Sequence, residues 1–341
     1  MIHPHELGPI RPVDEADSLL IRTTRGCPWN KCEFCVNYQD TKFSIRSVEE
    51  IKADIEKAAN YFNQHPFTTC FLQDGDSFAM KTSDLLVVLE YLKQHFPNLQ
   101  RISSYGRAQS LIRKSKQELQ ELCHAGLNKL YCGMESGSDI VLKNIRKGTS
   151  ASNIVTSAQA AKGAGMVLSE FIILGLGGQE HWEEHATATA EVLNKIDPDH
   201  IRVLTIGVKP GSGLEQKLIN GTFELQTEKN IIEEQRMLIE KLNGISSDYV
   251  NHHAVDLLTE ARGQLPYDKP KLLAIMDRYL ALNEADMLNF TLGRRLGHYQ
   301  RLDDLQDLER YEAINQQLHE FESQYPGQIE TIFHSLRSNV V

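Results

Sequence analysis

No stretch of the sequence approaches the ~20 consecutive apolar residues of a membrane-spanning helix. The opening residues, MIHPHELGPIRPVDEADS, have neither the basic start nor the apolar run of a secretory signal. Both absences predict a cytoplasmic protein. Cysteine is scarce, at six in 341 residues, and Cys70, Cys123 and Cys132 stand singly in apolar segments. That pattern fits reduced core thiols and excludes a disulfide framework. Basic residues are outnumbered, 36 against 46 acidic, for a formal charge of -10, which argues against nucleic acid as the main partner. There is no internal repeat and no low-complexity segment. What is present, 41% hydrophobic and 24% charged residues, is the composition of a globular protein with one large domain or a domain plus an appendage.

Short Val-, Ile- and Leu-rich runs alternate with segments of helical period across residues 19–208. Strands are expected at 19–24, 68–73, 101–105, 129–134, 167–174 and 201–208, apolar enough to be covered on both faces. Ser47 with Glu50, and Ser115 with Glu118, are spaced as capping boxes. The first precedes an apolar stripe of Ile51, Ile55, Ala58 and Phe62; the second precedes Leu119 and Leu122, with Gly126 placed to end its helix. Further helices fit 83–95, 152–162 and 181–196. This alternation predicts an α/β fold with parallel strands, a partial (β/α)6 TIM-type barrel. Beyond Pro210-Gly211-Ser212-Gly213 the strand signals stop, and helices are expected near 227–243, 268–282 and 303–325. The expected organisation is an N-terminal extension over 1–16, a core over 17–215 and a helical C-terminal region over 216–341.

The remaining three cysteines, Cys27, Cys32 and Cys35, fall together in RGCPWNKCEFCVNY. They follow the first expected strand and so occupy a loop at the carboxyl end of a parallel sheet, the edge where such folds place their chemistry. Three thiolates on one loop suit an iron–sulfur cluster with one iron left open. Structural zinc wants four Cys or His ligands, and the nearest additions, His3, His5, His65 and Cys70, lack matching loop placement. Zinc and uncomplexed thiols are the alternatives.

With these residues the chain resembles the radical S-adenosylmethionine superfamily, in its elongator and oxygen-independent coproporphyrinogen oxidase-like branch. The resemblance implies that the three cysteines hold a [4Fe-4S] cluster whose open iron chelates S-adenosylmethionine. Reductive cleavage of the sulfonium would then release a 5′-deoxyadenosyl radical that takes hydrogen from a substrate. The family's usual spacing is C-x3-C-x2-C; here one more residue separates Cys27 from Cys32.

Other segments carry the resemblance too. In LQDGDSF, Asp74, Gly75 and Asp76 stand where the family receives the methionine ammonium, a cation that needs acceptors in a dry pocket; the plainer alternative is an Asp-Gly turn. Arg107 would neutralise the methionine carboxylate, or serve structurally. Glu135, in YCGMESGSD, would accept from the ribose hydroxyls, with Ser136 and Gly137 letting the backbone approach. Gly175 and Gly177, in FIILGLGGQE, would flank the adenine, and Phe34 lies near it or packs the loop.

Rival readings remain. HWEEH, with His181, Glu184 and His185, matches the H-x-x-E-H signature of inverted zinc peptidases; the alternative is the start of a solvated amphipathic helix. A non-catalytic iron–sulfur protein is the other rival. Only 26 residues precede Cys27 and no cysteine follows Cys132, which argues against a cobalamin-binding domain and a C-terminal auxiliary cluster. The expected partners are a small-molecule, lipid-like or peptide substrate and an electron donor such as flavodoxin or ferredoxin. Tyr249, Asn251, His252, His253 and Asp268 form a polar set suited to orienting a substrate or moving a proton.

Overall fold

Both Ser-x-x-Glu boxes close as expected. Ser47 and Glu50 cap the helix Val48–Tyr61, and Ser115 and Glu118 cap Lys116–His124, side chain and backbone satisfying each other's unpaired groups at each end. The apolar stripes behind them (Ile51, Ile55 and Ala58; Leu119 and Leu122) are fully buried. The computed structural model describes residues 4–63, 65–251 and 253–340.

The expected strands are all present: β1 (Leu19–Arg22), β4 (Thr69–Gln73), β5 (Arg101–Gly106), β6 (Leu127–Glu135), β7 (Val167–Leu174) and β8 (His200–Thr205). To these the fold adds a two-stranded ribbon, β2 (Thr24–Arg25) with β3 (Ser44–Ile45), and two short strands, β9 (Asp248–Val250) and β10 (Gly263–Gln264). The sheet has eight strands in the order β1-β4-β5-β6-β7-β8-β9-β10. It is mostly parallel, with β10 antiparallel to β9, and its order runs from end to end without closing.

The chain divides into two units. One comprises Met1–Gly133 with Gly148–Glu170, the other Met134–Lys147 with Phe171–Val341. In the first, register pairs Leu19 with Cys70 and Cys70 with Ile102, and Ile21, Phe71, Leu72 and Leu130 form a dry core under the helices. In the second, Ile201 and Val203 of β8, Leu193 of the helix Gly178–Ile196, and Ile231 and Ile239 of the helix Glu228–Lys241 do the same.

The expectation that strand structure ends with residue 208 is corrected by β9 and β10. Three residues of Asp-Tyr-Val and two of Gly-Gln are too short to show a period, and the pairing of β9 with β8 and of β10 with β9 is a tertiary effect. The late helix expected from residue 303 begins at Leu308, where Asp307 accepts from the Arg310 N–H. The short helices Ala108–Ile112, Asp139–Asn144 and Gly213–Ile219 and the longer Glu284–Arg295 and Ile329–Ser338 were not foreseen. None of the cysteines is in a disulfide; Cys70 and Cys132 are buried and Cys123 half-buried. No helix among the described residues is long and apolar enough to cross a membrane.

Candidate active site

In the first unit, the loops after β1, β4 and β5 leave the carboxyl ends of neighbouring parallel strands. The cysteine loop springs from the β2–β3 ribbon and is tied at its root. Gly26 N–H donates to Asp74 Oδ2 (2.8 Å), and Gly75 N–H donates to Gly26 O (3.3 Å). A Cβ on Gly75 would lie 2.9 Å from the Cys27 Cβ, so only glycine lets the two loops meet this closely. Cys27, Cys32 and Cys35 are half-buried, as is Phe34, and Cys35 N–H closes a turn on Cys32 O (3.1 Å).

Asn30 takes a left-handed conformation (φ 44) and its Nδ2 donates to Tyr38 O (2.7 Å). Trp29 packs against Gly148, with the Arg107 guanidinium 5.9 Å and the Lys31 ammonium 5.2 Å from its ring. Tyr38 is buried, and its hydroxyl finds no hydrogen-bond partner among the described residues. Burial pushes the Tyr38 hydroxyl up, and the neighbouring Asp74, Cys27 and Cys35 add to the rise.

Each of the two aspartates keeps one buried oxygen without a partner among the described residues, Asp74 Oδ1 and Asp76 Oδ1. Asp74, at φ 77, receives Arg22 Nη2 (2.6 Å) and Nε (2.9 Å) on the oxygen that also receives Gly26. Burial raises its pKa, against the pull of Arg22. Asp76 is fully buried; Ser110 Oγ donates to its Oδ2, while Oδ1 has no partner among the described residues. Burial holds the Asp76 carboxyl up at about 6 against Ser110 and the nearby Arg107 charge. Arg107 precedes the helix Ala108–Ile112 and makes no ion pair among the described residues.

Among the described residues no three His, Cys, Asp or Glu side chains converge as a single-ion cage. A four-iron cube does not require that, since each thiolate binds a different iron, whereas zinc needs its ligands at one point. The orphaned Asp76 Oδ1 and Tyr38 hydroxyl also fit a polar group beside the thiols. The donor set fits an open-cornered cluster with a cationic ligand.

In the second unit, Glu135 ends β6 at φ 62, and its carboxylate receives Lys147 Nζ (2.7 Å). Ser136 is buried, its Oγ receiving Ser138 N–H (3.0 Å), and Gly137 N–H donates to Thr189 Oγ1 (2.9 Å). Gly175 follows β7 at φ 86, where an added Cβ would meet Ile206. Gly177 precedes the helix Gly178–Ile196 and abuts the His181 carbonyl.

Two buried residues that the sequence reading missed as a pair hold these turns. Glu234 accepts Gly175 N–H (3.1 and 3.3 Å to its two oxygens) and pairs with His185 Nδ1 (2.9 Å), whose Nε2 reaches Glu135 O (3.3 Å). A signal existed: Glu234 lies between Ile231 and Leu238 at helical spacing, a carboxylate on a core-facing stripe.

The zinc-peptidase reading fails on this geometry. His181 is non-helical (φ -123, ψ 17), so the pair is not presented by a regular helix turn. His185 is buried on Glu234, and Glu184 is exposed. The late polar set is largely structural. Tyr249 hydroxyl accepts from Gln235 Nε2 (2.9 Å), Asn251 Nδ2 donates to Leu258 O (2.5 Å), His253 N–H donates to Asp256 Oδ2 (3.2 Å), and Asp268 Oδ2 accepts Gln264 N–H (2.8 Å). His252 lies outside the described residues.

A parallel α/β sheet with a three-cysteine loop after its first strand and polar turns after the next ones defines a cofactor-binding class of enzyme fold. The chain belongs to the radical SAM superfamily, whose model matches residues 21–189. That family uses a [4Fe-4S] cluster and S-adenosylmethionine. An uncharacterized methyltransferase of Pyrococcus horikoshii is 26% identical over 200 residues, 57% of this chain and 40% of that protein. The chain thus spans less than half the length of that relative. Coproporphyrinogen III oxidase (HemN) of Escherichia coli superposes with a TM-score of 0.53 at 16% identity, covering 70% of this chain and 53% of that one. The cobalamin-dependent S-adenosylmethionine radical enzyme OxsB gives 0.53 at 13% identity, over 95% of this chain and 59% of that one. At such identities the two structures establish shared fold.

Proposed function

We propose that the chain reductively cleaves S-adenosylmethionine and directs the resulting radical at a substrate that is not a nucleic acid. The observation that carries this reading is the thiol loop pinned by Gly26 and Gly75 to the Asp74–Asp76 turn, with Asp76 Oδ1 left unpartnered. In it, Cys27, Cys32 and Cys35 hold the cluster. Once bound, the cluster supplies the electron that splits the sulfonium into methionine and a 5′-deoxyadenosyl radical.

Asp76 is the acceptor for the methionine ammonium. Asp74 offers its unpartnered Oδ1 to the same site, while Arg22 and Gly26 N–H occupy Oδ2 and lock the loop root. Arg107, stacked by Trp29, faces the methionine carboxylate. Glu135, steadied by Lys147, receives the ribose, and the backbone at Ser136, Gly175 and Gly177 borders the nucleoside, with Phe34 toward the adenine. Residues 17–215 carry the cofactors, and 216–341 supply substrate contacts. A low-potential flavodoxin or ferredoxin fits as electron donor, and the substrate is a small molecule, a lipid-like molecule or a peptide.

Methyl transfer is a second reading, favoured by the Pyrococcus relative. Product analysis after anaerobic reconstitution and reduction separates the two. Methionine with 5′-deoxyadenosine in equal amounts is the expected outcome; S-adenosylhomocysteine alone would favour methyl transfer and overturn the radical reading.

A further inference from the structure

Three arginines, Arg294, Arg295 and Arg337, lie with three carboxylates in the second unit, Glu228 and Asp256 buried and Glu330 half-buried against the Glu228 N–H, and the hydrogen bonds among them are unequally shared. Glu228 serves two of the arginines. It receives Arg295 Nη2 at 2.6 Å and Arg337 Nη1 at 2.9 Å, with all three side chains 1–2% exposed. Asp256 accepts Thr205 Oγ1 (3.0 Å) and His253 N–H (3.2 Å), and burial raises its pKa against the pull of Arg295 and Arg294.

Arg294 is left over. It is 8% exposed, its Nε is sealed from solvent without a partner, and its side chain makes no hydrogen bond or ion pair among the described residues. Burial lowers its pKa, and so does the neighbouring Arg295. A guanidinium this far buried that makes no hydrogen bond, with only the Asp256 carboxyl near it, is left short of acceptors, a deficit that a ligand with two acceptor oxygens would fill. Arg295 makes the weaker candidate because its fork is already spent on Glu228 and on Val255 O (2.6 Å).

The position of this group is also informative. Arg294 lies in the last turn of the helix Glu284–Arg295. Arg295 ties that turn to the loop of Val255 and Asp256, and Asp256 is bonded to Thr205, the last residue of β8. The carboxyl end of a parallel strand is where folds of this kind receive ligands.

We infer that Arg294 binds an oxyanion, the carboxylate or phosphate of the substrate, at the carboxyl end of β8. A guanidinium offers a planar fork of N–H donors that matches either group bidentately. Assigning the anion to the substrate rests on the radical reading above; the binding itself does not.

The test is thermal unfolding of the full chain, without S-adenosylmethionine or reductant, in sodium phosphate or sodium acetate against sodium chloride at equal ionic strength. A saturable rise in Tm over chloride is expected with one of the two anions; acetate identifies a carboxylate, phosphate a phosphate ester. Arg294→Met should abolish the rise, and Arg294→Lys, which keeps the charge but loses the fork, should raise the half-saturating concentration about tenfold. If Arg294→Met does not fold, Arg294→Lys decides. No saturable rise in the wild type, or one that survives Arg294→Met or is unchanged in Arg294→Lys, overturns the inference. Because neither cofactor nor turnover enters the measurement, its failure leaves radical cleavage intact, and failure of cleavage leaves this result standing.

Discussion

Asp74 and Glu135 both stand at strand ends with φ of 77 and 62, a backbone region that disfavours a side chain by roughly 1–2 kcal/mol. Strain of this kind persists where surrounding bonds over-determine it, and here Arg22 with Gly26 holds the first and Lys147 the second. A carboxylate held this firmly is preorganised, which suits a site that must bind a charged ligand. Asp256 is a different case, because its environment works against its charge. Facing it are Arg294, Arg295, the Thr205 hydroxyl and the His253 N–H, and burial outweighs them, lifting its pKa from 3.8 to about 7. A raised folded-state pKa means the native protein holds the proton more tightly than the unfolded chain, so stability falls as pH rises from about 4 through 7. Asp256→Asn should therefore gain in urea midpoint relative to the wild type between pH 5 and pH 8; a difference that does not change with pH would contradict this.

At the level of elements, the helix Glu228–Lys241 does more for the nucleoside-side turns than its own sequence announces. Glu234 connects it to Gly175 at the end of β7 and, through His185, to the backbone at Glu135. Glu234→Ala would leave a buried imidazole and a buried N–H without their acceptor, and should destabilise the protein by roughly 3 kcal/mol in urea unfolding. Glu234→Gln, which keeps an acceptor for Gly175, should lose less. Equal losses would mean that the carboxylate charge, not the hydrogen bonds, is what matters.

The elements also show what was legible in advance. The six parallel strands and both capping boxes could be read because apolar runs and Ser-x-x-Glu spacing are local signals. The β9 and β10 strands and the ribbon that frames the cysteine loop could not, being two or three residues long and formed by pairing. In the site, the cysteines and the acidic turns were recognisable as positions. That Asp74 gives one oxygen to Arg22 and keeps the other depends on a strand 52 residues away, and the role of His185 depends on a glutamate 49 residues away.

For the molecule as a whole, a net charge of -10 coexists with a buried arginine beside β8 that makes no hydrogen bond among the described residues, so the whole charge and this one side chain select for different partners. The acidic surface disfavours polyanions, while the internal guanidinium accepts a single small one. The remaining question of identity is chemical, and it rests on three thiols. The most direct measurement is anaerobic reconstitution of the wild type and of Cys27→Ala, Cys32→Ala and Cys35→Ala, followed by reduction, addition of S-adenosylmethionine and chromatography of the products. The wild type should retain about four irons per chain and form 5′-deoxyadenosine with methionine, and each variant should lose product at least a hundredfold, corresponding to about 3 kcal/mol in the barrier. Undiminished 5′-deoxyadenosine in the cysteine variants, or none from a wild type that holds its cluster, would contradict the account.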